Sequence, residues 1–344
     1  MNDNIYIHVP FCASKCGYCA FYSETDHSLI EPFLDRLESQ LTVKTADTVF
    51  LGGGTPSLLP PIQLERLFRM IPVAENETSI ECNPETITPE KAKLIKAFTN
   101  RISLGVQSFN TGLRQRLGRR AGDAAIENAI ELLQPSNIDL IYGIPGQTET
   151  DFLNDLETAV GYGIEHISCY ALTAEEVSAL FAEHREDDEL ETRMWHLAGE
   201  FLDSHGIRRY EVSNYAVPGS ECRHNMNVWH GRTYSGFGPA ASSFNGVVRK
   251  TEVSSIRDWL DGVPAETDEL PIGKRNFEVF VMGLRTVDGW TCEQWENCAL
   301  PEKIQWKDLL ELQVLQEFAE ISPKQIKLTT EGLLFWDDVA TVLL

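Results

Sequence analysis

Three of the chain's eight cysteines stand at positions 12, 16 and 19, in the run Phe-Cys-Ala-Ser-Lys-Cys-Gly-Tyr-Cys-Ala-Phe over residues 11–21. Random placement of the cysteines would give this CxxxCxxC spacing about 0.004 times in a chain of this length, so coincidence is a weak explanation. A loop this tight brings three thiolates to three corners of an iron–sulfur cubane. Most cubanes take four cysteines, so one iron is left without a protein ligand and open to a small molecule. Structural zinc is the competing chemistry, but zinc wants four closed ligands, usually as two spaced pairs, and no second CxxC follows. In a reducing compartment such spacing favours metal ligation over disulfides, with the cysteines at 82, 169, 292 and 298 read as small core residues.

Other residues with ligand-binding chemistry recur where apolar runs end. Gly52-Gly53-Gly54-Thr55-Pro56 follows one such run, and its missing Cβ atoms let backbone groups approach a ligand; a tight structural turn is the equally simple alternative. Glu81 sits in Ile-Glu-Cys-Asn-Pro, Gln107 in Gly-Val-Gln-Ser-Phe and Asp139 in Asp-Leu-Ile-Tyr-Gly-Ile-Pro-Gly-Gln-Thr. Burying such groups unpaired costs on the order of 1 to 3 kcal/mol each, so they must face either internal partners or a polar ligand. Arg119, in Leu-Gly-Arg-Arg, supplies positive charge to a ligand or sits in solvent. Residues 222–230 read Cys-Arg-His-Asn-Met-Asn-Val-Trp-His; Cys222, His224 and His230 carry side chains that can ligate a metal, and Trp229 either stacks on a ligand or fills core.

These residues are positioned by a regular alternation. Six β-rich runs, Ile5 to Val9, Thr48 to Leu51, Thr78 to Cys82, Ile102 to Val106, Ile138 to Tyr142 and His166 to Tyr170, alternate with segments of helical period up to about residue 205. Apolar residues at 29, 30, 33, 34, 37 and 41 make one helical stripe, and Thr148 placed three residues before Asp151 caps another. The fold class expected is α/β: a partial (β/α)6 barrel whose working loops follow the carboxyl ends of the strands, with a smaller, mainly helical C-terminal domain. The boundaries expected are 1–205 for the barrel, 206–262 for a barrel-edge segment and 263–344 for a helical, winged-helix-like unit, its β-like run Ile326 to Thr329 followed by a helical close.

With 52 acidic against 29 basic side chains the net charge of −23 would repel a phosphate backbone, so nucleic acid is excluded as the expected partner. The first residues lack a basic, apolar leader and no apolar run approaches membrane-spanning length, so a cytoplasmic location with at most transient membrane contact is expected.

The cysteine motif resembles that of radical S-adenosylmethionine (SAM) proteins. With Ile-Tyr-Ile-His-Val-Pro-Phe-Cys, Phe-Leu-Gly-Gly-Gly-Thr-Pro-Ser, Gly-Val-Gln-Ser-Phe and Tyr-Gly-Ile-Pro-Gly-Gln-Thr, nearly the whole chain resembles the oxygen-independent coproporphyrinogen III oxidase family. The resemblance implies a [4Fe-4S] cluster on Cys12, Cys16 and Cys19, with SAM chelating the open iron through its amino and carboxylate groups and one cluster electron breaking its S–C5′ bond to give a 5′-deoxyadenosyl radical. It implies SAM contacts at Tyr6, Gly53, Gly54, Thr55, Glu81, Gln107, Arg119 and Asp139, and places Tyr18 as a shield for the cluster.

That family holds two groups, a dehydrogenase that decarboxylates two porphyrinogen propionates and a chaperone that passes heme to acceptor proteins. Three features favour the chaperone. Phe21 stands where the dehydrogenase pattern CxxxCxxCxC has its last cysteine, only eleven residues precede Cys12, and residues 224–229 are similar to the chaperone's HNxxYW motif, departing from it at Val228. The chaperone resemblance implies heme on His224, heme-acceptor proteins as partners, and a low-potential electron donor such as a flavodoxin or ferredoxin. The dehydrogenase reading remains the alternative, and whether the chain is an enzyme stays open.

Overall fold

The structure is a computed structural model that describes residues 4–173 and 188–344. Strands β1 (Asn4–Val9), β2 (Thr45–Gly53), β3 (Val73–Cys82), β4 (Arg101–Gln107), β5 (Asn137–Tyr142) and β6 (His166–Ala171) lie side by side in chain order, all parallel. Helices α1 (Ile30–Gln40), α2 (Pro61–Met70), α3 (Pro89–Phe98), α4 (Thr111–Arg116), α5 (Asp123–Leu133), α6 (Glu149–Gly161) and α7 (Asp188–Ser204) connect or follow them. The stripe read in α1 buries Ile30, Phe33, Leu34 and Leu37, and Thr148 and Asp151 form a reciprocal capping box at the start of α6. All six strands read from the sequence are present, each within a few residues of its expected ends.

Side chains alternate across a strand, and here the two faces have opposite chemistry. Ile5, Ile7 and Val9, Val49 and Leu51, Ile102, Leu104 and Val106, and Ile138 and Leu140 join the apolar core. The intervening positions include Tyr6, His8, Glu81, Arg101, Ser103, Asn137, Asp139 and Ser168, which line an internal cavity. A barrel interior of this polarity leaves room for a polar ligand instead of closing on branched aliphatic side chains.

Beyond β6 the chain extends the sheet at both ends. β7 (Arg208–Glu211) and β8 (Asn214–Ala216) add antiparallel strands beside β6. After α8 (Arg223–Trp229), β9 (Tyr234–Phe237) pairs parallel with β1, and β10 (Ser242–Phe244), β11 (Arg249–Thr251) and, past α9 (Ile256–Asp261), β12 (Glu266–Asp268) continue antiparallel. The resulting sheet has twelve strands, ordered β12-β11-β10-β9-β1-β2-β3-β4-β5-β6-β8-β7.

The last segment comprises α10 (Ile272–Leu284), β13 (Trp290–Thr291), α11 (Cys292–Asn297), α12 (Trp306–Leu309), β14 (Ala319–Ser322), β15 (Gln325–Leu328), α13 (Thr330–Leu334) and α14 (Trp336–Leu343). The β-like run near residue 326 is β15, centre of a small antiparallel sheet ordered β13-β15-β14. Its two neighbours were not legible in the sequence: β13 has two residues, too few to show a period, and β14 (Ala-Glu-Ile-Ser) carries a single large apolar side chain, Ile321. Among the described residues no helix is long and apolar enough to cross a membrane.

Candidate functional site

The cysteine loop leaves the carboxyl end of β1 and is pinned at its base. The N–H of Cys12 donates to the carbonyl of Glu24 at 2.9 Å and the N–H of Glu24 to that of Pro10 at 2.6 Å. Phe11, fully buried edge-on against Phe33, anchors the turn. Further along, the N–H of Cys19 donates to the carbonyl of Cys16 at 3.3 Å and that of Gly17 to the carbonyl of Leu117 at 3.2 Å. The three thiols are free and half-buried. Cys12 Sγ lies 3.5 Å from Thr55 Oγ1, and Arg119 Nη1 donates to Cys16 Sγ at 3.8 Å.

Among the described residues no three His, Cys, Asp or Glu side chains converge as donors of a single metal ion would. A zinc ion requires its sulfurs within about 2.3 Å of one point, whereas a cubane holds each thiolate on a separate iron. Three free thiols on one loop, with a guanidinium beside one sulfur, are a donor set that fits an anionic cluster.

The glycine loop abuts the cysteine loop. Gly54 N–H donates to Val9 O at 2.9 Å and Thr55 N–H to Phe11 O at 2.7 Å. A Cβ on Gly54 would stand 2.8 Å from the backbone of Phe11 and Val9, and Gly53 adopts φ +101° with the His8 ring where a Cβ would be. Close approach thus demands both glycines, and here one backbone packs upon another.

Glu81 accepts from the N–H of Gly53 at 3.2 Å; burial and, secondarily, the charge of Asp139 push its carboxyl up to about 8. Asp139 accepts from Ser103 Oγ at 2.9 Å and Asn137 Nδ2 at 2.7 Å. Arg119 is buried, which removes the solvent alternative, and its Nη2 donates to Asn83 Oδ1 and Gly105 O, both at 2.6 Å. Tyr6 OH donates to His8 Nδ1 at 3.3 Å, because His8 Nε2 must spend the ring proton on Tyr22 O at 3.0 Å. Gln107 holds φ +71° at the bulge that ends β4.

His224, on α8, reaches into the barrel wall and is buried against Phe50. Its Nδ1 lies 2.7 Å from Thr48 Oγ1, which also lies 2.9 Å from Asn4 Oδ1. Asn4 Nδ2 donates to Thr233 O at 2.9 Å, so Oδ1 is an acceptor and takes the single Thr48 proton. His224 Nδ1 must then carry its own proton, leaving Nε2 with a bare lone pair. Burial, reinforced by the charge of Arg101, lowers the His224 pKa to about 3, which keeps the ring neutral. The alternatives point elsewhere: Cys222 is buried with Sγ on Glu77, and the nitrogens of His230 face the carbonyls of Met226 and Gly289.

One cavity of about 1040 Å³ joins all of these parts. Cys12, Cys16, Cys19, Tyr6, Gly53, Gly54, Thr55, Glu81, Gln107, Arg119, Asp139 and His224 line it, as do Tyr18 and Trp229. Sequence reasoning overlooked Asn83, which bridges Thr55 and Arg119, and Arg101 and Arg285, which also face the cavity. A polar side chain every second residue of an apolar strand is the signal that finds Arg101.

Residues 6–159 match the radical SAM superfamily. The chain is 37% identical over 296 residues to the heme chaperone HemW of Mycobacterium tuberculosis H37Rv, covering 78% of this chain and 75% of that one. It is 33% identical over 316 residues to the Bacillus subtilis heme chaperone HemW, covering 83% of each, and 31% identical over 314 residues to that of Escherichia coli K12, again covering 83% of each. Its fold is that of the E. coli radical SAM enzyme coproporphyrinogen III oxidase (HemN), with TM-score 0.82, 19% identity, and coverage of 99% of this chain and 90% of that one. By relatedness across more than two thirds of its length, the chain belongs to the heme chaperone HemW family within the radical SAM superfamily.

Proposed function

We propose that this chain is a cytoplasmic heme chaperone of the radical SAM class, binding a [4Fe-4S] cluster, SAM and heme, and delivering heme to acceptor proteins. The observation that carries the reading is the shared cavity, with three free thiols at one end and a neutral imidazole with an unprotonated Nε2 at the other.

Cys12, Cys16 and Cys19 would hold the cluster. When bound, it supplies one electron to SAM, received from a low-potential donor such as a flavodoxin or ferredoxin. The chain's own residues do the positioning. Gly53, Gly54 and Thr55 admit the methionyl end of SAM close to the backbone, Glu81 and Asp139 offer it negative charge, and Arg119 and Gln107 orient its polar groups. Tyr18, packed near Leu113 and Leu117, screens the cysteine loop from water. His224, with Nδ1 held by Thr48, would offer Nε2 to heme iron. Phe21, where the dehydrogenase pattern has cysteine, disfavours the decarboxylating alternative.

Anaerobically reconstituted protein tests the proposal. Stoichiometric uptake of hemin, its loss in His224→Ala, and no protoporphyrinogen from coproporphyrinogen III are the expected results. Repeated turnover to protoporphyrinogen rejects the chaperone reading.

A further inference from the structure

Among the described residues four arginines are buried: Arg101, Arg114, Arg119 and Arg275. Three have strong partners. Arg114 bonds Asp123 and the carbonyls of Ser108 and Ala121; Arg119 bonds Asn83 and Gly105; Arg275 bonds Glu278 and the carbonyl of Val247. Arg101 is 7% exposed, lines the cavity, and makes no side-chain hydrogen bond or ion pair with any described residue; its Nε is sealed from solvent without a partner.

A guanidinium cannot shed its charge, and stranding one in a protein interior costs several kcal/mol. The carboxylates whose charges bear on it, Glu77, Glu81 and Asp139, act through space and none is hydrogen-bonded to it. Glu77 accepts from the backbone N–H groups of Arg223 and His224, and Asp139 from Ser103 and Asn137. What Arg101 lacks is an acceptor within hydrogen-bond distance of its guanidinium.

Strand register tells which ligand can supply it. Arg101 pairs with Ser79, one inward step below the Ser103–Glu81 pair and four residues before Gly105, whose carbonyl holds Arg119. At about 3.3 Å per residue this puts it roughly 13 Å along the strand from that level, away from the cysteine loop. On the adjacent strands the Thr48–Glu77 pair, which carries His224, begins two residues before Ser79. Arg101 thus lies toward the His224 end of the cavity, one inward step below Glu81 and farther from the cysteine loop.

We propose that Arg101 is a carboxylate subsite at the His224 end of the cavity, receiving one propionate of the bound tetrapyrrole through its planar guanidinium. This rests on the heme reading above. The planar fork of the guanidinium matches the two oxygens of a carboxylate, and Glu77 and Asp139 nearby repel a doubly charged phosphate more than a singly charged propionate. The propionate would meet the Nη groups of a cation that burial has already stripped of most of its water, while Nε stays sealed from solvent.

The test compares hemin with its dimethyl ester, in which both carboxylates are blocked, by Soret titration of wild-type protein, Arg101→Gln and Arg101→Lys. Wild type is expected to bind the acid roughly tenfold or more tighter than the ester. Arg101→Gln should lose that preference, with ester affinity unchanged, and Arg101→Lys should restore part of it. Equal binding of acid and ester by wild type overturns the subsite, whether or not the variants fold. So does a folded Arg101→Gln that keeps the wild-type ratio. Failure of wild type to bind either compound overturns the heme reading itself, and the subsite with it.

Discussion

Thr48 and His224 meet at 2.7 Å across the interface of β2 and α8, and the direction of that bond is dictated by the acceptor on the far side of the hydroxyl, Oδ1 of Asn4. Asn227 Nδ2 also donates to this oxygen, at 2.8 Å, so the chain from Asn227 through Asn4 and Thr48 has only one consistent assignment of protons. Replacing Thr48 by valine leaves the His224 N–H and one acceptor site of Asn4 buried without a partner. The expected cost is about 1 to 3 kcal/mol in urea unfolding, with weaker hemin binding, while serine at this position retains both. Equal stability of the valine and serine variants would contradict the assignment.

Acid should destabilise the fold through its buried imidazoles. Burial lowers the pKa of His8, His166 and His224, that of His224 to about 3. Each is depressed relative to the unfolded chain, so its contribution is complete above pH 6.5 and is lost as pH falls toward the folded value, when the unfolded state takes up protons that the native state refuses. The slope of unfolding free energy against pH between 6.5 and 4 should flatten in His224→Gln. An unchanged slope would show that His224 is solvated.

SAM binding should expel a proton near neutral pH. Glu81, raised to about 8 by burial and Asp139, is largely protonated at pH 7 in the free protein. A cationic ligand beside it favours the carboxylate, so affinity should rise with pH and level off above 8. Calorimetry in phosphate and in Tris reads the released proton as a difference in apparent enthalpy; Glu81→Gln should abolish the difference.

The glycine loop should be intolerant of a single methyl group. In Gly54→Ala the Cβ would collide at 2.8 Å with the backbone that leads into Cys12. The reconstituted variant is expected to retain far-UV helicity and lose most of its iron, measured per chain. Gly122→Ala, where nothing lies within 4 Å of the added atom, is the control and should load normally.

Legibility of the site in the sequence followed the range of the interactions involved. The cysteine spacing, the glycine run and the six core strands are local patterns, and all appear where the residues placed them. Arg101 was passed over because it looks like an ordinary strand-edge charge until the register sets it beside Ser79 inside the barrel. Asn4 and Thr48 were equally silent, since their significance lies in a partner, His224, that is 176 residues beyond Thr48. The strands β13 and β14 are brought into register by the C-terminal packing, which no short run announces.

The pairing of β1 with β9 joins residues 4–7 to residues 234–237. During synthesis the strand that delivers the cysteines therefore lacks one of its two neighbours until more than two thirds of the polypeptide has left the ribosome. Closing so long a loop carries a chain-entropy cost that local strand pairs such as β1 with β2 do not bear to the same degree. The turn that carries the three thiols is therefore flanked on both sides only after a segment about 230 residues downstream has folded back beside it.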